Sequence, residues 1–324
     1  MMNNSFNECI ATQNIVANVM PPVLIIEFLL GLPTNMVALW IFCRRLHAWR
    51  PNTVYLMNLM LADFLLLASL PFRIDTLRRG ENWVFGDAMC RMNLFMLAVN
   101  RSASVAFMTM VAVDRYFKVV HPHHRVNRLM ARHTVAVSGA AWAVVVCLRL
   151  PLVTEKLLRP DKGTGNLMCR SFGGYEHPPP GIRLHYAVFV GEVLLPLLLL
   201  IFCSVRIICI LQLRQLDRKQ KVRRAIHVIL LIVGVFTVCF LPSVATGLSA
   251  IFIKKFRPHD CPSYLLAGQL FSLSIGFTYL NSALDPVIYC FSSSLFRNAL
   301  KESINGLGGF NMQVSRRGSV TSDG

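Results

Sequence analysis

CRMNLFMLAVNRSASVAFMTMVAVDRYFKVV, residues 90–120, decides the fold. From Arg91 to Phe117 the stretch is almost wholly apolar, yet it carries Arg101 within and Asp114, Arg115 and Tyr116 near its end. At about 1.5 Å per residue, Met92 to Lys118 would measure about 40 Å as a helix, enough to cross a bilayer even when tilted. A charge inside such a span costs several kcal/mol unless it is paired or hydrated, so an ionisable residue there marks a functional site by default.

The chain around it has 324 residues, 54% hydrophobic and 15% charged, against about 25% charged in a soluble domain. Its mean hydropathy is +0.52. These values predict a polytopic, all-α membrane protein. The net charge of +17 would suggest nucleic acid in a soluble protein, but here it fits cytoplasmic loops facing anionic membrane lipid. No nucleic-acid partner is expected. The first 14 residues are polar and lack a basic start, so no cleavable signal peptide is expected.

Seven apolar runs qualify as spans, at about 20–43, 53–77, 88–119, 133–153, 184–211, 225–253 and 264–291. A short amphipathic stretch follows, so the expected organisation is an amino terminus over 1–19, a seven-helix domain over 20–291, an amphipathic helix over 292–304 and a tail over 305–324. Pro33, Pro71, Pro196, Pro242 and Pro286 fall inside spans, where neighbouring helices can satisfy the freed carbonyls.

Lys and Arg set the orientation. The first 22 residues have none, whereas the gaps after spans 1, 3 and 5 are basic, which predicts an outer amino terminus and an inner carboxyl terminus. The outer loops also hold cations, among them Arg78, Arg79, Lys156, Arg159, Arg170 and Lys254. Either these are neutral decoration or they gather an anion from outside. Of ten cysteines, Cys9, Cys90, Cys169 and Cys261 should lie outside, which permits two bridges and three connectivities. Cys90 tops span 3 and Cys169 lies in the loop after span 4, giving Cys90–Cys169 with Cys9–Cys261 as the remainder. Asn3 opens a glycosylation sequon on the outer side.

One motif per span, in order, resembles the rhodopsin-like (class A) family of G-protein-coupled receptors. The elements are Asn35 in GLPTN, Asp63 in LMLAD, Cys90 with Asp114-Arg115-Tyr116, Trp142, Pro196, CFLP at 239–242 and LDPVIY at 284–289. Within it, NRSASVAFMTMVAVDRYFKVVHPHH, CFLPSV and FTYLNSALDPVIYCFSS resemble the branch of the hydroxycarboxylic acid and oxoeicosanoid receptors. The resemblance implies a plasma-membrane receptor, not an enzyme. Its implied agonist is a hydroxycarboxylic acid or oxidised fatty acid, and its implied partners are an inhibitory G protein, lowering cAMP, and arrestin. The chain departs at Thr34, Phe240 and Asp285, the last two shared by the branch. Gly247 stands where the hydroxycarboxylic acid receptors carry an arginine, as in the oxoeicosanoid receptor, which suits a longer, less polar ligand.

Arg101 lies about 16 Å below Cys90, too deep to snorkel. Its guanidinium fork matches a carboxylate. Two readings stand: a ligand clamp left without a protein counter-ion, which the resemblance favours, and an internal pair with Glu192. Arg73 is either a second cation for the ligand or an interfacial residue. Arg149 offers the same two readings, with the loop or interface residue preferred over the second cation. Tyr279 offers the ligand a hydrogen bond or makes an interhelical one. Ser171 and Phe172 follow Cys169 and resemble loop positions that cover the ligand, and Trp83 is a packing anchor or a pocket wall.

Asp63, Asn35, Asn100, Ser104, Asn281 and Asp285 should converge in mid-bundle. Two acids there cannot both ionise cheaply. A sodium ion at Asp63, which the resemblance implies, or a shared proton would relieve them; a water-filled network is the alternative. Phe240 and Pro242 supply a bulky pivot and a kink. Asp114 can hold Arg115 at rest, and Arg115, Tyr116 and Tyr289 are the positions that the resemblance assigns to G-protein coupling. Ser319 in the polar tail is a phosphorylation candidate that arrestin could read. His121-Pro122-His123-His124 reads as a solvated turn. Residues 264–291 contain no lysine for a retinal Schiff base, no internal repeat suggests a transporter, and no nucleophile–base set lies at membrane depth.

Overall fold

The computed structural model describes residues 15–44, 51–128, 130–161, 165–172, 178–213, 220–257, 259–292 and 296–303. Seven long helices follow in order. They are α1 (Ile15–Arg44), α2 (Pro51–Arg78), α3 (Gly86–Val120), α4 (Ala131–Thr154), α5 (Pro180–Leu213), α6 (Gln220–Phe256) and α7 (Cys261–Ser292). A short helix, α8, runs over 296–303. Each long helix contains its predicted span and extends it by one to five residues at either end. The five predicted prolines lie inside continuous helices.

The helices are inside out by the standards of a soluble protein. Leu29, Leu195 and Leu198 are 62–70% exposed on the outer wall. Asn35, Asp63, Asn100, Asn281 and Asp285 are buried. Water would punish that arrangement, and lipid rewards it, because polar groups there must be satisfied within the bundle. Among the described residues six helices are long and apolar enough to cross a membrane by length and composition. The seventh, α7, has 32 residues but is diluted by Ser272, Ser274, Thr278, Asn281, Ser282 and Asp285.

Polar side chains tie the helices by bonding neighbouring backbones. Asn100 Nδ2 donates to the carbonyl of Ala62 at 2.8 Å, Asn93 Nδ2 to Ser69 at 2.9 Å and Asn35 Nδ2 to Ser282 at 3.0 Å. Trp142 Nε1 donates to Asn58 Oδ1 at 2.8 Å.

At the end of the bundle where α3 begins, β1 (Leu158–Pro160) and β2 (Leu167–Cys169) form an antiparallel hairpin in which Leu158 faces Cys169. The Cys90–Cys169 disulfide fixes it to the top of α3. Trp83 N–H donates to the Leu167 carbonyl at 2.8 Å, which joins the hairpin to the α2–α3 turn. That turn closes α2 through left-handed Gly80 (φ 67°) and Glu81 (φ 65°), and the Glu81 carboxylate meets Arg170. Cys261 is disulfide-bonded as well; Cys9, its expected partner, lies outside the described residues, as do Asn3 and Ser319.

Candidate ligand-binding site

Arg101 and Ser102 are consecutive residues of α3 at the level where α5 presents Glu192. Arg101 Nε donates to Glu192 Oε1 at 2.7 Å, and Ser102 Oγ donates to Glu192 Oε2 at 2.6 Å. The internal pair therefore exists, and the expectation of a guanidinium without a protein counter-ion is corrected. A second correction concerns Arg149, which is neither a loop nor an interface residue. It is 1% exposed and its Nη2 also binds Glu192 Oε2. Its Nε donates to Ser102 Oγ at 2.9 Å, and its Nη1 donates to His185 Nδ1 at 2.8 Å. An arginine only donates, so that ring nitrogen is the acceptor and His185 is neutral.

One carboxylate thus serves two guanidinium groups, leaving the cluster with one net positive charge inside the bundle. Arg101 spreads further. Its Nη1 donates to Ser243 Oγ of α6 at 3.0 Å and to Thr278 Oγ1 of α7 at 3.2 Å. Its Nη2 is buried with no hydrogen-bond partner among the described residues. A buried charged donor left unsatisfied is costly, which makes this atom the open position of the cluster.

Aromatic rings surround it. The Arg101 guanidinium lies 4.0 Å from the Phe189 ring centre and 5.5 Å from that of Phe240. Phe172, from the loop after Cys169, stacks on Tyr186 at 5.1 Å and meets Phe189 at 4.7 Å and Phe271 at 5.1 Å. The space freed by Gly247 is filled by Phe271. A Cβ on Gly247 would sit 3.2 Å from that ring. Gly247→Leu should therefore displace Phe271, cost about 1–3 kcal/mol and lower the thermal midpoint of the purified protein. An unchanged midpoint would show that the ring is not wedged there.

Deeper in the bundle the predicted polar residues do converge. Tyr289 Oη donates to Asp63 Oδ2 at 3.0 Å, and Asn281 Nδ2 donates to Asp285 Oδ2 at 3.1 Å. Among the described residues, Asp63 Oδ1, Asp285 Oδ1, Asn281 Oδ1, Ser104 Oγ and Ser282 Oγ are buried without a hydrogen bond of ordinary geometry, although Ser282 and Asp285 lie close enough to Asp63 to interact with it. Several unsatisfied oxygens beside two acids form a donor set that fits a hard monovalent cation.

A model of the seven-transmembrane receptor, rhodopsin family, matches residues 34–289. The chain belongs to that family. The receptor is 42% identical over 300 residues to human hydroxycarboxylic acid receptor 2, covering 92% of this chain and 81% of the relative. To human hydroxycarboxylic acid receptor 3 it is 43% identical over 300 residues, covering 92% and 76%. To human oxoeicosanoid receptor 1 it is 40% identical over 285 residues, covering 88% and 72%. It is a multi-pass membrane receptor of this type, not an enzyme, and works with a G protein and a small-molecule ligand.

Of the expected ligand residues, Arg101 and Phe172 share the aromatic cluster of the receptor. Tyr279 packs instead among residues of α1 and α2, within electrostatic reach of Arg73, Glu27 and Arg101. Arg73 is half-buried and enters none of the ion pairs among the described residues. Trp83 is buried in the outer cluster with Cys90, Cys169 and Ile182, its Nε1 donating to the Gly86 carbonyl at 2.8 Å. Ser171, next to Phe172, is buried. At the far end of α3 Asp114 binds Lys118 at 2.7 Å and reaches Arg115 at 3.9 Å. Tyr116 packs on Phe202 of α5. Phe240 is buried below Arg101, and the backbone around Pro242 is supported by Thr278 Oγ1, which donates to the Cys239 carbonyl at 3.2 Å.

Proposed function

We propose that the receptor is activated by an extracellular carboxylate, a hydroxycarboxylic acid or oxidised fatty acid, and signals through an inhibitory G protein to lower cAMP. The observation that carries this reading is the surplus positive charge on Arg101, Arg149 and Glu192, with Arg101 Nη2 unsatisfied. A carboxylate that reaches this atom neutralises the cluster and completes its hydrogen bonds. The names of the relatives, which speak of hydroxycarboxylic acids and an oxoeicosanoid, support the same chemistry. Phe172, Phe189 and Phe271 supply an apolar wall for the rest of the ligand, and Phe271 in the place vacated at Gly247 favours a less polar body.

Arg101 joins α3 to α5, α6 and α7 beside the proline of α6, so an anion that draws it away from Ser243 and Thr278 biases the swing of α6. The agonist acts through its differential affinity for the two positions of that helix. Sodium, when bound, supplies a positive charge that favours the resting bundle; Asp63, Asn100, Ser104, Asn281 and Asp285 would hold it. Asp63→Asn should then abolish the sodium sensitivity of agonist binding, and a sodium effect equal to the parent's would refute the site. At the inner face Asp114 restrains Arg115, which with Tyr116 meets the G protein, whereas Tyr289, buried on Asp63 in this structure, acts by moving when the bundle opens. The receptor sits in the plasma membrane with its amino terminus outside, glycosylated at Asn3, and arrestin reads its tail once Ser319 is phosphorylated.

A second reading is favoured by the Arg101–Glu192 pair itself: a permanent internal ion pair in a receptor for a non-carboxylate ligand. Nucleotide exchange on an inhibitory G protein separates the two. Lactate, short hydroxy acids, nicotinate and oxidised fatty acids are each compared with their amides in membranes containing the receptor. The carboxylate reading expects acids alone to stimulate exchange; equal potency of an acid and its amide would contradict it.

A further inference from the structure

We propose that Arg149 is a positioning residue for anion recognition: it retains Glu192 when a ligand carboxylate takes over Arg101, so the receptor carries its own exchangeable counter-ion. The inference rests on the carboxylate reading above and supplies the partner that makes the exchange affordable inside a membrane.

The two oxygens of Glu192 are engaged separately. Oε1 holds Arg101, whereas Oε2 holds Ser102 and Arg149. Loss of the Oε1 contact therefore leaves the Oε2 contacts in place. The two arginines are also unequal. All three nitrogens of Arg149 are engaged, by Ser102, His185 and Glu192. Among the described residues Arg101 leaves Nη2 without a hydrogen-bond partner and uses Nη1 on two neutral hydroxyls. Arg149 is the built-in seat of the carboxylate, and Arg101 is the seat that can be vacated.

The charges set the selectivity. At rest the cluster carries one net positive charge, and one monocarboxylate brings it to zero. Without Arg149 the resting cluster is already neutral, and a bound carboxylate would face an uncompensated Glu192 in a medium of low dielectric. Without the Glu192 charge, two positive charges attract the anion. Arg149 and Glu192 should thus act on anion affinity in opposite directions and cancel when changed together.

The test uses purified full-length receptor in lipid nanodiscs. Nicotinate and an oxo C20 fatty acid serve as probes, each compared with its amide, with binding read by the shift of thermal unfolding. Arg149→Met should weaken binding of the effective acid at least about tenfold, Glu192→Gln should tighten it about tenfold, and the double variant should return to within about threefold of the parent. Arg149→Lys, which keeps the charge, should recover most of the loss; this variant and the double variant carry the test if Arg149→Met does not fold. A merely structural role for Arg149 predicts the opposite pattern: Glu192→Gln also weakens binding, and the double variant is no better than Arg149→Met. That pattern overturns the inference while leaving the carboxylate reading intact. Failure of both acids to shift the parent receptor would overturn the carboxylate reading, and this inference with it.

Discussion

Arg101→Ala should remove the response to every carboxylate agonist while leaving the receptor at the cell surface. Losing a buried charge-assisted contact costs about 2–5 kcal/mol, so potency should fall at least about 30-fold. The fold should survive because Glu192 keeps Ser102 and Arg149 when Arg101 is gone. The cluster then becomes neutral and has no reason to draw an anion. Arg101→Lys should recover only part of the response, since an ammonium keeps the charge but cannot reach Glu192, Ser243 and Thr278 with one planar fork. Nucleotide exchange alongside surface labelling checks both statements. An unaltered dose response in Arg101→Ala would remove this residue from the ligand site.

The second large effect falls on the outer face. Cys90 and Cys169 close a loop with a sequence separation of 79 residues. Trp83, Leu152, Leu157 and Ile182 pack around the bridge, and Phe172 follows it into the aromatic cluster. Cys90→Ser should cost about 2–4 kcal/mol and lower surface receptor several-fold. Cys169→Ser should do the same, and the double variant should be no worse than either, because the bond is lost once. Surface labelling and thermal unfolding report the effect. Full expression and an unchanged midpoint in both single variants would mean that the hairpin is held by Trp83 and its backbone contacts alone.

Much of this was legible in the sequence, for identifiable reasons. A span is written locally, so the seven runs and their order could be read from hydropathy. The seventh was the hardest, because its inward face is polar. Arg101 stood out because a guanidinium in the middle of an apolar run has few innocent explanations. Glu192 was recognisable as its candidate partner for the same reason. Arg149 was misread because it lies near the end of its span, where a long side chain usually reaches the interface. Only the packing of α4 against α3 and α5 turns it inward, and no local signal distinguishes the two cases. The convergence of Asp63, Asn281 and Asp285 was readable from their depth, but the hydroxyl of Tyr289 on Asp63 was not, since it depends on how α7 is rotated. Phe271 filling the place beside Gly247 is likewise a packing fact: sequence shows an absent side chain but not what occupies its volume.

The central claim is that an outside carboxylate completes the Arg101 cluster and so shifts α6. The most direct measurement is a cryo-electron microscopy structure of the receptor with an inhibitory G protein and the most potent acid of the panel. The account predicts the acid's carboxylate on Arg101, Glu192 kept by Arg149 and Ser102, and altered contacts from Arg101 to Ser243 and Thr278. An agonist bound elsewhere, with Arg101 still on Glu192 Oε1 as in the present structure, would contradict it.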